Sequence, residues 1–455
     1  MEKKLTKQQI ILLVSLIFGL FFGAGNLIFP VHLGQLAGAH WLSATGGFLL
    51  SATLIPLAAL IALSTTRSVG IYDLARPVGA SFAVIFLIAC HMSLGPLIAT
   101  PRTATVAYSL SFANWLPKAW VGSGQIIFSI IFFVLVYLAS IQSKRLINLI
   151  GKYLNPIFII LLIIIFILGW LHPMGSLQQP VTSQYTHHAF SAAFLQGYNT
   201  LDAIAALTFG ITIVRSIESM GYRQAGTISK IIAKTGFWAM LGTATVYIGL
   251  ILMGATSLGQ VSLSENGATA LSQIMQFYFG SFGQAFLGVM GTLAVFTTAM
   301  GLTASFAQDF NRIFPQISYR IWLAVTIILS FLVANLGLDQ IIKCATPVLM
   351  FLYPLAIVLI ILGLLNPWIK QNKLIYQMTI FFTVIPAIFD GLSNAPFANQ
   401  LGGLVSYTTA NGLVQTGWYQ SVIPGAAIGF GWLIPALLGL IVGLIGTAIM
   451  KSKNN

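Results

Sequence analysis

The chain has 455 residues, 57% of them hydrophobic and only 6% charged, with a formal net charge of +13. A composition this apolar excludes an ordinary soluble domain. The basic excess does not indicate nucleic acid, because Lys and Arg lie between apolar runs rather than in one basic patch. Cys90 and Cys344 are far apart and outside any CxxC, which argues against a disulfide framework or a cysteine metal site.

Apolar runs of about 20 residues recur along the whole length, each long enough to cross about 30 Å of hydrocarbon. The first, residues 10–38, is too long and too interrupted for a cleaved signal peptide and is expected to remain as a span. At its middle stand Phe21-Phe22-Gly23-Ala24-Gly25-Asn26-Leu27-Ile28-Phe29-Pro30. Two glycines and an asparagine at mid-depth, with a proline one turn later, work against a regular helix. Unwound backbone is tolerated inside a membrane only where protein buries it or it lines a cavity. A broken first helix therefore points to a binding site, the plainer alternative being close helix packing through small residues.

The following runs fall near 41–65, 81–113, 122–141, 148–171, 190–215, 228–256, 283–310, 319–337, 341–365, 374–393 and 424–450. The expectation is an all-α integral membrane protein of about 12 transmembrane helices in one transmembrane domain, 1–455. Eighteen of the 21 Lys and Arg residues fall at the termini and in alternate loops, leaving only Arg102, Lys118 and Lys343 elsewhere. Under the positive-inside rule this places both termini in the cytoplasm and requires an even span count. The longer loops, 172–189, 257–282 and 394–423, are then external. Within the second, Ala268 to Phe282 reads as a short amphipathic helix. The third, rich in Gly, Ser and Thr, reads as a tether rather than an ordered lid.

Span six carries a second interruption, Gln196-Gly197-Tyr198-Asn199-Thr200-Leu201-Asp202. Two interrupted segments at matching positions in two halves are the sequence mark of a secondary-transporter site. They imply two inverted five-helix repeats, 10–171 and 190–365, with helices eleven and twelve (374–450) added. Candidate substrate residues are Gly23, Ala24, Gly25 and Asn26 at the first break and Gln196, Gly197, Tyr198 and Asn199 at the second. Freed N–H groups there suit a carboxylate and freed carbonyls suit a cation, unless the polar side chains only patch the kinks.

In span eight, Thr297 and Thr298 present hydroxyls about 100° apart; they either ligate a small hard cation or bond their own helix. Asp202 is an intramembrane carboxylate that titrates, pairs with Arg102 or His91, or caps the second half of its span. Arg102 is expected to pair with an acidic group or snorkel rather than to bind substrate, and His91 to be a satisfied buried histidine rather than a proton relay. Asp390, before Gly391, is expected to end span eleven at the outer surface. No nucleophile–base pair, P-loop or metal cluster is legible, so no enzyme is expected.

Three segments carry a resemblance: Phe22 to Pro30 with Leu33-Gly34 and Ala37-Gly38, Gly95 to Ala104, and Gln196 to Ala203. In order and spacing they resemble the bacterial branched-chain amino acid carriers, the system II leucine/isoleucine/valine:cation symporters, over essentially the whole chain. The resemblance implies sodium-coupled uptake of leucine, isoleucine and valine across the plasma membrane, and a LeuT-type fold with two added helices. It implies that Ala24, Gly25 and the segment Gln196 to Asn199 hold the substrate's charged groups. By extension to that fold, Gly19 and Phe22 carbonyls and Thr297 and Thr298 hydroxyls hold sodium. The expected partners are the amino acid, sodium as coupling ion and the lipid bilayer, with no organic cofactor, nucleic acid or obligate protein partner. A proton-driven symporter using Asp202 or His91, and a passive amino acid channel, are the alternatives.

Overall fold

The computed structural model describes residues 5–68, 70–113, 115–141, 160, 163–408 and 414–454. Span one is two helices, α1 (Lys7–Phe21) and α2 (Ala24–Ala37). Thr6 and Gln9 form a reciprocal capping box that starts α1. The helix stops where the Gly23 N–H turns to Asn26 Oδ1, 2.9 Å away, instead of closing on the Gly19 carbonyl one turn back. Span two comprises α3 (Trp41–Leu49), a widened turn at Leu50–Leu54, and α4 (Ile55–Thr66).

Span three, expected as one helix over 81–113, is also broken. Between α5 (Ala80–Met92) and α6 (Ala99–Ser111), Gly95 has φ −87° and ψ −114°. Pro96 lacks the N–H that a continuous ladder needs, and the Phe306 ring fills the space a Gly95 side chain would take, within 2.7 Å of an ideal Cβ. α7 (Val121–Ile141) forms span four. Of the expected fifth span, 163–171 are helical and 148–159 lie outside the described residues.

Span six breaks as expected. α8 (Ala189–Gly197) ends in a tight turn, Tyr198–Thr200, and α9 (Asp202–Ser219) resumes after Leu201. Leu201 adopts φ +65°, a costly left-handed conformation for a branched side chain. There follow α10 (Ala225–Ser257), α11 (Gly267–Ile313), α12 (Tyr319–Ala334), α13 (Leu338–Leu364), α14 (Lys373–Ser393) and α15 (Leu433–Asn454). α11 bends at Gly280, φ +60°, so the helical stretch before the bend supplies the short helix expected over 268–282.

Among the described residues, eight helical runs are long and apolar enough to cross a membrane, and Lys7–Phe21 and Tyr319–Ala334 are shorter apolar helices. Apolar side chains such as Ile127, Ile131, Val134 and Leu138 of α7 are exposed, as a lipid-facing surface requires. Span one packs along α10, and span six packs along α3 and α4. α6 lies against α11. Between α2 and α10 the backbones touch: a Cβ on Gly34 would sit 2.1 Å from the Ile251 carbonyl oxygen, and one on Gly254 2.0 Å from that of Val31.

The external loop over 394–423 corrects the tether expectation. Its described part holds a 3-10 turn (Ala398–Leu401), a two-residue antiparallel pair (Tyr407–Thr408 with Val414–Gln415) and a short helix, Trp418–Val422. Tyr419 anchors it: its hydroxyl lies 2.8 Å from Asp390 Oδ1 and 3.1 Å from the Pro386 carbonyl. Asp390, expected at the outer surface, is consequently buried.

Candidate functional site

The two breaks meet. Asn26, in the first turn of α2, accepts from Gly23 through Oδ1 and directs Nδ2 to both oxygens of Asp202, at 3.1 and 2.9 Å. Asp202 opens α9, where a negative charge complements the helix N-terminus. The Tyr247 hydroxyl of α10 donates to Asp202 Oδ2 at 2.8 Å and also contacts Asn26 Nδ2. The Asp202 N–H reaches Thr200 Oγ1 at 3.4 Å, and Thr200 donates to the Gly197 carbonyl. One asparagine thus ties the unwound backbone of span one to the acidic start of α9.

Beside this network lies a cavity of about 40 Å³, lined by Gly23, Ala24, Gly25, Asn26, Arg102, Thr200, Leu201, Asp202 and Thr298, with Leu94, Phe209 and Leu302 as apolar walls. That volume matches a few waters rather than a leucine, so an amino acid enters only as neighbouring side chains shift. A second cavity of about 380 Å³ lies on the side of the basic loops, lined by Asp73, Leu87, His91, Leu207, Asp309 and Arg312. Leu94 and Leu302 stand about two helical turns deeper than Leu87 and Asp309 on the same spans, and Phe209 neighbours Leu207 on α9, so the two cavities follow one path.

The expected site residues distribute unevenly. Gly23, Ala24, Gly25 and Asn26 all line the central cavity. At the second break it is Thr200, Leu201 and Asp202 that do so, rather than Gln196 to Asn199. Gln196 accepts from Asn199 Nδ2 at 3.3 Å, Gly197 abuts Ser51, and Tyr198 stacks on Tyr353 with ring centroids 4.1 Å apart. The Asn199 carbonyl oxygen still faces the first break, 3.3 Å from the Cβ position of Gly25. Thr298 is brought against Gly23, its Oγ1 3.4 Å from the Cβ position there, while Thr297 is outside the lining. Both hydroxyls donate to the Ala294 carbonyl, at 2.7 Å from Thr297 and 3.3 Å from Thr298. Gly19 lies one turn before the break, its carbonyl deprived of the Gly23 N–H, and Phe22 is the extended residue at the break itself.

Asp202 pairs with neither Arg102 nor His91, contrary to the pairing weighed from the sequence. Its oxygens are engaged by Asn26 and Tyr247, and His91 Nε2 meets Asp309 Oδ2 at 3.0 Å instead. Arg102 does not snorkel either: it is 2% exposed, its guanidinium 4.9 Å over the Phe29 ring. Tyr247, Thr200 and Asp309 were missed from the sequence. Tyr247 left a signal, a phenol hydroxyl in the apolar run 246–253, which needs a buried partner.

Comparison with known proteins agrees with this architecture. The family described as branched-chain amino acid transport protein matches residues 6–450. The branched-chain amino acid permease BrnQ of Bacillus subtilis is 36% identical over 455 residues, covering 100% of both chains. BrnQ of Escherichia coli K12 is 32% identical, covering 98% of this chain and 97% of the relative. Among solved structures, Mhp1, a nucleobase-cation-symport-1 family transporter in a closed conformation with bromovinylhydantoin bound, superposes with a TM-score of 0.61 at 13% identity, covering 96% of this chain and 92% of that one. MhsT in complex with L-phenylalanine gives 0.54 at 16% identity, covering 87% and 100%. At these identities the likeness is one of fold, the LeuT-type fold. On the match over residues 6–450 and relatives above 30% identity along the full length, the chain belongs to the branched-chain amino acid transport protein family.

Proposed function

We propose that the chain is a sodium-coupled symporter that carries leucine, isoleucine and valine into the cell by alternating access. It is a multi-pass transporter rather than an enzyme; the finer reading concerns the coupling ion, the substrate contacts and the orientation in the plasma membrane. The observation that carries it is the convergence of both helix breaks on one cavity, with Asn26 bridging Gly23 and Asp202. Such a junction offers N–H groups from the first turn of α2 to a carboxylate and carbonyls at the broken ends to cations. Thr298 against Gly23, with the Gly19 carbonyl released from its helical partner, supports a sodium position between α1 and α11. Span one packing along α10 while span six packs along α3 and α4 supports two inverted repeats, since that exchange relates spans one and two to spans six and seven. The 380 Å³ cavity on the basic-loop side supports a cytoplasmic release path, with both termini on that side.

The test is labelled-leucine uptake into proteoliposomes of the purified protein, under an inward sodium gradient beside an equal choline gradient at constant pH. Uptake that overshoots equilibrium only with sodium is expected; equal uptake in both overturns sodium coupling. A proton-driven reading keeps one supporting observation, the buried Asp202 at the junction. On the sodium reading, Asp202→Asn leaves no proton-driven uptake to lose; an imposed pH gradient that drives accumulation in the wild type and fails in Asp202→Asn favours the proton. An uptake that never exceeds equilibrium under either gradient marks a passive channel.

A further inference from the structure

We propose that Arg102 is the carboxylate anchor of the substrate site, closing on the amino acid's carboxylate together with the N-terminus of α2. The proposal rests on the amino acid reading above and names the group that reading left unassigned.

Arg102 stands in the first turn of α6, just past the break in span three. It is buried, yet Nε and Nη1 have no hydrogen-bond partner. No carboxylate among the described residues lies within ion-pair distance of it; the nearest candidate, Asp202, spends its oxygens on Asn26 and Tyr247. The Phe29 ring face stabilises the cation but accepts none of its in-plane N–H groups. A buried charge with unused donors is strongly destabilising in itself, so it is an arrangement that a ligand completes.

The position fits an anion. Nη2 lies 3.4 Å from the Cβ position of Gly25, so the guanidinium sits over the first turn of α2, and both line the same cavity. There the positive end of the α2 dipole and the first-turn N–H groups of Ala24 and Gly25 face the break. A guanidinium fork matches a carboxylate with two parallel hydrogen bonds, which a lysine cannot reproduce. Gly25 has no side chain to separate the two: any Cβ there would press within 3.3 Å of the Asn199 carbonyl and the Phe29 ring. The break in span three, which brings Arg102 to the breaks of spans one and six, thereby gains a role in recognition.

The test compares leucine with leucinamide, which keeps the side chain and the ammonium but lacks the carboxylate. Ligand-induced thermal stabilisation of the purified full chain reports both affinities without requiring transport. The wild type is expected to prefer leucine by roughly 100-fold or more, as truncating a buried charge pair commonly costs. In Arg102→Gln the preference is expected to fall below roughly 3-fold, through loss of leucine affinity with leucinamide little changed, and Arg102→Lys is expected to fall between. A wild type that binds leucinamide as well as leucine overturns the anchor whether or not the variants fold. So does an Arg102→Gln protein that keeps the wild-type ratio, even with weaker binding to both. No leucine binding by the wild type overturns the substrate reading itself, so the two failures are distinguishable.

Discussion

The Asn26 side chain uses its oxygen on the Gly23 N–H and its amide on Asp202 and Tyr247, so a single residue satisfies a freed backbone donor and a buried carboxylate together. Asn26→Ala leaves both without that partner, at about 1–3 kcal/mol for a buried unsatisfied group. A lower melting temperature and at least a ~10-fold loss of leucine uptake are expected; unchanged uptake would contradict a role for the bridge. Asn26→Asp keeps the oxygen for Gly23 but sets a second carboxylate against Asp202, and is expected to lose more uptake than the alanine variant. The candidacy of Asn26 was legible because an asparagine just after two glycines in a membrane run has few other uses. Its partner Tyr247 was not legible, since 221 residues separate them and only the fold says which hydroxyl meets which carboxylate. Arg102 was visible as a charge inside a span but misread, because sequence gives no sign of whether an acidic residue will be near enough to pair.

At the scale of the element, breaks announced by glycine and polar residues within apolar runs were readable, and those of spans one and six fell at Phe22–Gly23 and Tyr198–Leu201. The third break carried an equally plain signal, Gly95-Pro96, but Gly-Pro also occurs in continuous kinked helices, and the Phe306 ring that fills the gap comes from a distant segment. At the second break the cavity is lined one turn later than the glycine suggested, because Gly197 is spent on packing against Ser51. Composition also misled over 394–423, where Tyr419 orders a polar loop by closing on Asp390. Small residues between helices make a sharper prediction. Gly34→Ala pushes a methyl against the Ile251 carbonyl and is expected to cost about 1–3 kcal/mol or more by overpacking. Gly301→Ala, with nothing within 4 Å of the new Cβ, is expected to be neutral or to stabilise α11 by about 0.5–1 kcal/mol. Melting of the two purified variants in detergent checks the contrast, and equal melting temperatures would contradict the close α2–α10 contact.

For the whole molecule, the alternation of basic loops predicts that both termini face the cytoplasm. Reporter fusions active only in the cytoplasm are expected to work at either end; activity at one end alone would contradict an even span count. Selectivity is expected to follow shape, because one methylene in an apolar pocket is worth about 1–3 kcal/mol. Leucine, isoleucine and valine should therefore compete for uptake while polar amino acids do not. The membrane class and the paired breaks were legible in the sequence because hydrocarbon imposes long apolar runs and penalises every interruption. The path from the central cavity past Leu94, Phe209 and Leu302 towards His91 and Asp309 was not, since it joins three segments apolar in the same way as lipid-facing ones. Sodium coupling at the first break is tested most directly by the sodium dependence of labelled-leucine uptake in Thr298→Ala beside the wild type. Thr298 is expected to matter through the ion: half-saturating sodium rises at least ~10-fold, and leucine affinity at saturating sodium stays within about twofold, as for loss of one ligand worth about 1.4 kcal/mol. A Thr298→Ala protein with the wild-type sodium dependence would contradict a sodium site between α1 and α11.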